Sequence, residues 1–357
     1  MNRYEGLHDS KVRAGNGRFG MVWSLGLLCL AGLLGSASVS AGTLPGPMVD
    51  SDWLAKNLDK VLVLDVRKDV KSFEKRAKGE KGPGGSCGAG GKKSKKPMSG
   101  NGHVPGAVLA PLKKIFGKEK RDGKTVKLMA PKKKDFEKLM QRSGVNQDSA
   151  VVISGKGEQL PHTAYMTRLY WTMKYFGFEN VAILDGGTAQ WKMDGHKAEY
   201  GKSKRPARGN FTASAERREI RATLEEVVAL TKGRANAQIL DARPEPFYLG
   251  LTYNRKVQSP DRKGHIPTAR NFPVDLLIDT AGPTATLYDK KDILKAAKLL
   301  GIDLMGASTV TSCHTGVKAS ITWFVLSELL GNKSVRLYDG SMLEWSLVGK
   351  PVERPLD

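Results

Sequence analysis

The stretch TSCHTGVKAS, residues 311–320, sets a lone cysteine, Cys313, between the apolar run ASTV and the helical pattern ITWFVLSELL. A thiol is a weak nucleophile until it ionises, and a helix N-terminus or a nearby cation lowers its pKa from about 8.5 toward neutrality. This stretch offers both. The helix that follows has free amides in its first turn, and His314 and Lys318 are protonatable or positive neighbours. Gly316 lets the backbone curl tightly, so that successive amides face inward as a nest for an anionic sulfur or an oxyanion. A glycine-containing turn after a strand is also a poor place to hide a structural thiol. The pattern therefore points to nucleophilic chemistry.

Other cysteine chemistries fail on spacing. A phosphatase loop needs an arginine six residues after the cysteine to clamp phosphate bidentately, and Ala319 stands there. A thioredoxin-type pair needs a second cysteine where Gly316 sits, and a cysteine protease has only the distant His265 as an obvious base.

The elements that hold this loop occur twice. VLVLDVR (61–67) is repeated as AQILDAR (237–243), GNGHVPGAV (100–108) as RKGHIPTAR (262–270), and FENVAILDGGTAQW (178–191) as NKSVRLYDGSMLEW (332–345). In each copy short β-branched runs alternate with helical patterns, which argues for parallel sheets covered on both faces. Sites in such sheets form at the carboxyl ends of strands, where Cys313 falls. Laying VVISGKGEQ on TVTSCHTGV puts Gly155 opposite Cys313, so the first copy has no nucleophile. It also carries the glycine- and lysine-rich insert 76–102, which has almost nothing to bury and is expected to be a flexible surface loop. The polar, basic stretch 206–218 is expected to be the linker.

The 357-residue chain carries a formal net charge of +22. Such a charge admits nucleic acid, an anionic membrane face or a small anionic substrate. Because much of it lies in local runs such as APLKKIFGKEKRDGK and APKKKDFEK, which usually form solvated faces, no nucleic-acid partner is expected. Residues 1–41 have the layout of a secretory signal peptide: basic Lys11, Arg13 and Arg18, the apolar stretch MVWSLGLLCLAGLLG, then small residues with a cut expected after Ala41. The apolar stretch is shorter than the roughly 20 residues a span needs. We expect export, most simply to the periplasm, without stable membrane insertion; an uncleaved inner-membrane anchor is the alternative. Export removes Cys29 and leaves Cys87 and Cys313, which lack the clustered spacing of a zinc site, so no metal is expected.

Taken together, D-x-R ending a strand, G-H-[IV]-P before the next, a six-residue loop opened by cysteine, and LDGG or YDGS followed by tryptophan resemble the rhodanese family. The form is the tandem two-domain sulfurtransferase, covering about residues 46–353. The resemblance implies an α/β fold of two tandem rhodanese-like domains, each a small parallel sheet with helices on both faces. The N-terminal domain, catalytically silent, would span 42–205 and the catalytic C-terminal domain 219–357. It also implies ping-pong sulfur transfer. Cys313 takes the outer sulfur of a small anionic donor, thiosulfate or 3-mercaptopyruvate, carries it as a persulfide and yields it to a thiophilic acceptor, cyanide or a thiol, with no cofactor. His314, Thr315, Gly316, Val317 and Lys318 would cradle the persulfide.

The loop C-H-T-G-V-K matches neither the thiosulfate-type pattern C-R-K-G-V-T nor the mercaptopyruvate-type C-G-[ST]-G-V-[TS], although Thr315 and Gly316 lean toward the second. Where the family often places a substrate arginine after D-x-R, this chain has Phe247. Arg243, Arg255, Arg262 and Lys263 are therefore the candidate anion contacts, Arg243 being equally suited to an ion pair with Asp241. His103 and His265 are expected to be structural, as are Trp191, Trp345, Asp185 and Asp339. Cys87 is a candidate sulfur acceptor or disulfide partner for Cys313. The alternative to an enzyme is a rhodanese module that binds sulfane sulfur or a protein partner without turnover.

Overall fold

The computed structural model describes residues 43–78, 99–203, 205–214 and 216–356. The signal-like segment, Cys29, Cys87 and most of the insert lie outside the described residues. Within residues 40–357 the two sequence copies form one compact unit.

The first copy contributes seven strands: β1 (Met48–Val49), β2 (Leu62–Arg67), β3 (Val108–Pro111), β4 (Gly117–Arg121), β5 (Lys124–Met129), β6 (Val151–Ser154) and β7 (Val181–Leu184). The second contributes β8 (Arg221–Ala222), β9 (Gln238–Asp241), β10 (Arg270–Asn271), β11 (Ile278–Asp279), β12 (Thr286–Leu287), β13 (Thr309–Ser312) and β14 (Val335–Tyr338). Two five-stranded parallel sheets result, in the orders β1-β7-β6-β2-β3 and β10-β9-β13-β14-β8, which are one topology used twice. Helices α1 (Ser51–Ala55), α2 (Val70–Glu74), α3 (Lys133–Arg142), α4 (Leu160–Tyr175) and α5 (Gly187–Met193) belong to the first sheet. The second carries α6 (Leu224–Thr231), α7 (Glu245–Tyr248), α8 (Lys290–Leu299), α9 (Ala319–Phe324) and α10 (Ser341–Leu347). The central strands β6 and β13 are buried throughout, as continuous apolar or hydroxyl runs between two helical layers must be.

Register confirms the correspondence of the copies. Ser154 pairs with Asp65 as Ser312 pairs with Asp241, so Gly155 is the structural equivalent of Cys313. The G-H-V-P and G-H-I-P turns are built alike: His103 bridges Glu199 and stacks on Phe73 at 3.8 Å, while His265 bridges Glu353 and stacks on Tyr248 at 3.7 Å.

Between β3 and α3, and again between β10 and α8, each domain sends out an antiparallel hairpin. The β4–β5 hairpin turns on Asp122 and Gly123, both with left-handed φ (47° and 74°), the geometry that Asp-Gly supplies in two-residue turns. It reaches the second domain, where the Ala130 amide donates to Asp339 Oδ2 (2.7 Å), Arg121 Nε to Glu344 (2.6 Å) and Lys124 to the Leu347 carbonyl (2.7 Å). The smaller β11–β12 hairpin reciprocates: Ala285 donates to the Gly157 carbonyl (2.7 Å) and Thr284 to Gln190 (2.9 Å). Each domain thus covers the other's strand-to-helix loop. Helices α4 and α9 pack face to face, joined by the Thr167–Ser320 hydroxyl contact (2.8 Å) and the edge-on Tyr170–Phe324 pair. The 206–218 stretch is more than a tether. Phe211 in it is fully buried against Phe136 and Phe178, strapping the segment to the first domain.

Candidate active site

Strand β13 delivers Cys313 to the carboxyl edge of the second sheet, and α9 starts six residues later. The Cys313 amide donates to Ser341 Oγ (3.1 Å), and its carbonyl and that of His314 accept from Met342 and Leu343 at the start of α10. The loop is thereby pinned at its base to the YDGS turn. Gly316 takes φ +71°, and a β-carbon there would lie 2.5 Å from the Asp339 carbonyl oxygen and 3.2 Å from Arg168 Nη1. Only glycine fits. Among the described residues, the amides of His314, Thr315, Gly316, Val317 and Lys318 donate to no other protein group. That is the donor-rich nest an anionic sulfur requires.

Two expectations are corrected here. Cys313 is 1% exposed, so the glycine turn hides the thiol rather than presenting it; the residue belongs, with Ala319 and Ile321, to an apolar cluster drawn from both domains. His314 contributes no positive charge. Burial first, then the charge of Arg243, pushes its pKa down to about 3, and its ring meets Phe247 edge-on at 4.7 Å. Its Nε2 is buried without a hydrogen-bond partner. Lys318, half-buried at the N-terminal edge of α9, is the one cation contributed by the loop itself.

The four predicted anion contacts lie elsewhere. Arg243 is fully buried; its guanidinium grips Asp241 through both carboxylate oxygens and donates to the Gly264 carbonyl (2.9 Å). Arg67 and Asp65 repeat this pair in the first domain, so the D-x-R motif is a structural clamp in both. Arg262 donates to the Gly349 and Lys350 carbonyls and pairs with Asp261. Lys263 lies 5.7 Å over the Tyr253 ring, and Arg255 is exposed.

The open space beside the loop is a cleft of about 620 Å³, lined by Thr315, Val317 and Lys318 from the loop and otherwise by the first domain. A larger hollow of about 910 Å³ adjoins it through Lys113, Phe116, Gly117 and Lys118 but holds no loop residue, so the smaller one is the candidate site. Leu112, Phe116, Leu128, Pro161, Ala164 and Tyr165 make it apolar; Lys68, Lys113, Lys118 and Lys127 make its first-domain side cationic. Sequence reasoning missed Lys113 and Lys118 by reading their run as a solvated face, and Lys68 and Lys127, outside the basic runs, drew no reading. The available signal was the alternation GKEKRDGKTVK around Asp-Gly, which marks a hairpin with two distinct faces. Glu119 and Arg121 face the domain junction, and Lys118 and Lys127 face the cleft.

Behind the loop lies a buried charge cluster that crosses the domains. Arg168 on α4, 0% exposed, approaches Asp339 at 2.5 Å, and Arg221 lies 3.5 Å from the same carboxylate. The Arg168 contact is Coulombic more than a directed hydrogen bond, since Asp339 Oδ1 and Arg168 Nε and Nη1 have no aligned partner. Arg168 Nη2 also donates to the Leu128 carbonyl at 3.5 Å, so one guanidinium touches the hairpin, the YDGS turn and the cysteine loop.

A family model for the rhodanese-like domain matches residues 50–194 and again residues 223–347. The chain belongs to the rhodanese family. A Saccharopolyspora erythraea protein provisionally named thiosulfate sulfurtransferase is 30% identical over 315 residues, 86% of this chain and 96% of its own length. The 3-mercaptopyruvate sulfurtransferase of Escherichia coli is 29% identical, over 83% of this chain and 94% of its own. The crystal structure of SseA from Escherichia coli, a 3-mercaptopyruvate sulfotransferase, superposes with a TM-score of 0.62 at 27% identity, covering 83% of this chain and 98% of that one. The fold is the tandem rhodanese fold, and the chain is a sulfurtransferase of the rhodanese type.

Proposed function

We propose that Cys313 is the nucleophile of a ping-pong sulfur transfer. It attacks the outer sulfur of thiosulfate or 3-mercaptopyruvate, holds that sulfur as a persulfide, and releases it to cyanide or a thiol. The observation that carries this reading is the loop: a cysteine at the carboxyl end of the central strand, followed by unpaired amides and opening beside a cationic cleft. Burial of Cys313 suits a persulfide intermediate, because excluding bulk water protects it from premature discharge. The first domain, with Gly155 at the equivalent position, serves as the far wall of the cleft. Thr315, which stands where the thiosulfate-type loop has lysine and the mercaptopyruvate-type loop a small hydroxyl, makes 3-mercaptopyruvate the preferred donor.

Thiocyanate production with each donor, beside a Cys313→Ser control, tests the proposal. Turnover that survives in the control refutes Cys313 as nucleophile. The 1% exposure of Cys313 is the observation that favours the second reading, a module that binds without turnover; it is supported if neither donor adds 32 Da, the mass of one sulfur, to the folded chain. For location we propose export to the periplasm, on the strength of the N-terminal sequence alone, tested by the N-terminal mass of the secreted protein. Among the described residues no helix is long and apolar enough to cross a membrane.

A further inference from the structure

The cleft carries more positive charge than a small donor uses. Lys68, Lys113, Lys118, Lys127 and Lys318 line it, no aspartate or glutamate does, and none of the five has an ion-pair partner among the described residues. Lys118 and Lys127 are direct cross-strand partners in the β4–β5 hairpin. Like charges placed opposite one another destabilise a ladder, and the strand register shifts at that very end, between Gly117 and Lys118. Next to Lys127, Leu128 is held at φ +64° and leaves 36% of its surface exposed in the cleft. A bulky side chain in the left-handed region is strained, and strain of this kind collects at ligand clamps. Arg168 and the domain junction hold the hairpin in this form.

Resting on the sulfurtransferase reading above, we propose that this cleft docks an acidic, cysteine-bearing segment of a partner protein, which is the sulfur acceptor. Size decides against a small anion as the sole occupant. Thiosulfate and 3-mercaptopyruvate have only a handful of heavy atoms each, too few to cover Leu112, Phe116, Leu128 and Tyr165 in a cleft of about 620 Å³, and two or three cations satisfy either. The lining continues past the cleft into the adjoining 910 Å³ hollow, where Lys114, Lys132, Lys138, Arg142 and Arg205 outnumber the single carboxylate, Asp135, a net basic track for an extended chain. In the transfer the incoming thiol sulfur bonds to the outer sulfur of the Cys313 persulfide. The sulfur–sulfur bond to Cys313 breaks, with its electron pair returning to Sγ. The proton shed by the acceptor thiol ends on Cys313, and the acceptor leaves as a persulfide. No oxidant or reductant is consumed.

The test is a single-turnover discharge. The mature chain is loaded with donor, freed of it, and mixed with cyanide or with one of three heptapeptides: DDFCLDD, its Asn analogue NNFCLNN or its Lys analogue KKFCLKK. Loss of the 32 Da adduct is timed by mass spectrometry. The acidic peptide is expected to discharge the persulfide about tenfold or more faster than the lysine peptide at low salt, the advantage shrinking toward unity near 1 M salt as screening takes over. In a Lys68→Gln/Lys113→Gln/Lys118→Gln/Lys127→Gln variant the acidic-to-neutral rate ratio collapses to about one; the ratio is read only on molecules that carry the 32 Da adduct, so slower loading or slower discharge to cyanide does not enter it. Equal rates for the three peptides on a chain that loads and discharges to cyanide overturn this assignment and leave the transferase reading standing. An acidic preference that survives in the quadruple variant also overturns it. Failure to load at all overturns both.

Discussion

Replacing Arg168 by methionine removes a buried cation from a site where no water can take its place. At 2.5 Å from Asp339, with an effective dielectric of about 20, the pair attracts by roughly 7 kcal/mol, most of it offset by the desolvation of two groups that are 0% and 1% exposed. What the variant exposes is the charge left behind. Asp339 keeps the Ala130 amide and the more distant Arg221, so Arg168→Met is expected to cost about 3 kcal/mol, the lower end for breaking a buried pair. Asp339→Asn strands Arg168 with the long Leu128 contact and the faces of Phe116 and Trp171 and is expected to cost about 4 kcal/mol. The double variant should cost no more than the worse single one, a coupling of at least about 3 kcal/mol, because it leaves no unpaired charge. Urea unfolding of the four proteins supplies the cycle. Costs that add to within about 0.5 kcal/mol refute the reasoning and return the interdomain cluster to the status of a bystander. The same variants report on function, since Arg168 Nη1 lies against Gly316: both singles should slow persulfide formation.

Gly316→Ala places a β-carbon 2.5 Å from the Asp339 carbonyl and adds the left-handed penalty of about 1–2 kcal/mol; we expect a lower Tm and persulfide formation reduced about 100-fold by misplacement of the loop, checked by calorimetry and mass shift. His314, held near 3 by burial and by Arg243, stays neutral in the fold while an unfolded imidazole protonates near 6.5. The unfolded state thus binds the extra proton, and this residue's share of stability, complete above pH 6.5, declines as pH falls toward 3. His162, lowered to about 4, acts in the same direction, and Asp185, raised to about 6 by burial, acts in the opposite one. His314→Gln should therefore lessen the stability lost between pH 6.5 and 5 by roughly 1.5 kcal/mol, the expected share of one such imidazole, and an unchanged pH profile contradicts the burial argument. Because Cys313 is 1% exposed, its alkylation in the folded chain should be at least about tenfold slower than in urea, and slower still with bulky maleimides; equal rates mean that the loop stands open.

Much of the fold was legible because it is written twice. The two copies of D-x-R, G-H-x-P and the strand-end DG motif carry local information: an arginine two residues after an aspartate folds back on it, and an Asp-Gly-containing turn hands a strand to a helix. Cys313 stood out on the same local grounds, and Gly155 as its silent counterpart followed from alignment of the repeats. The candidate anion contacts have other partners in the fold for an equally physical reason. Arg243, Arg262 and Lys263 lie near the cysteine's own domain motifs, but the chain spends them on Asp241, on the carbonyls of Gly349 and Lys350 and on the Tyr253 ring.

Composition, periodicity and repetition by themselves determined two α/β domains, a strand-end cysteine and a glycine-dependent loop, because each of these depends on neighbours within a few residues. Tertiary structure alone decided that Cys313 is buried, that His314 is neutral and that Arg168 of the first domain braces the loop of the second. It also decided that Lys118 and Lys127 face a cleft and not open solvent. Each depends on which surface of one domain meets which surface of the other, and reciprocal hairpins make that choice across separations of more than a hundred residues. No local pattern encodes it.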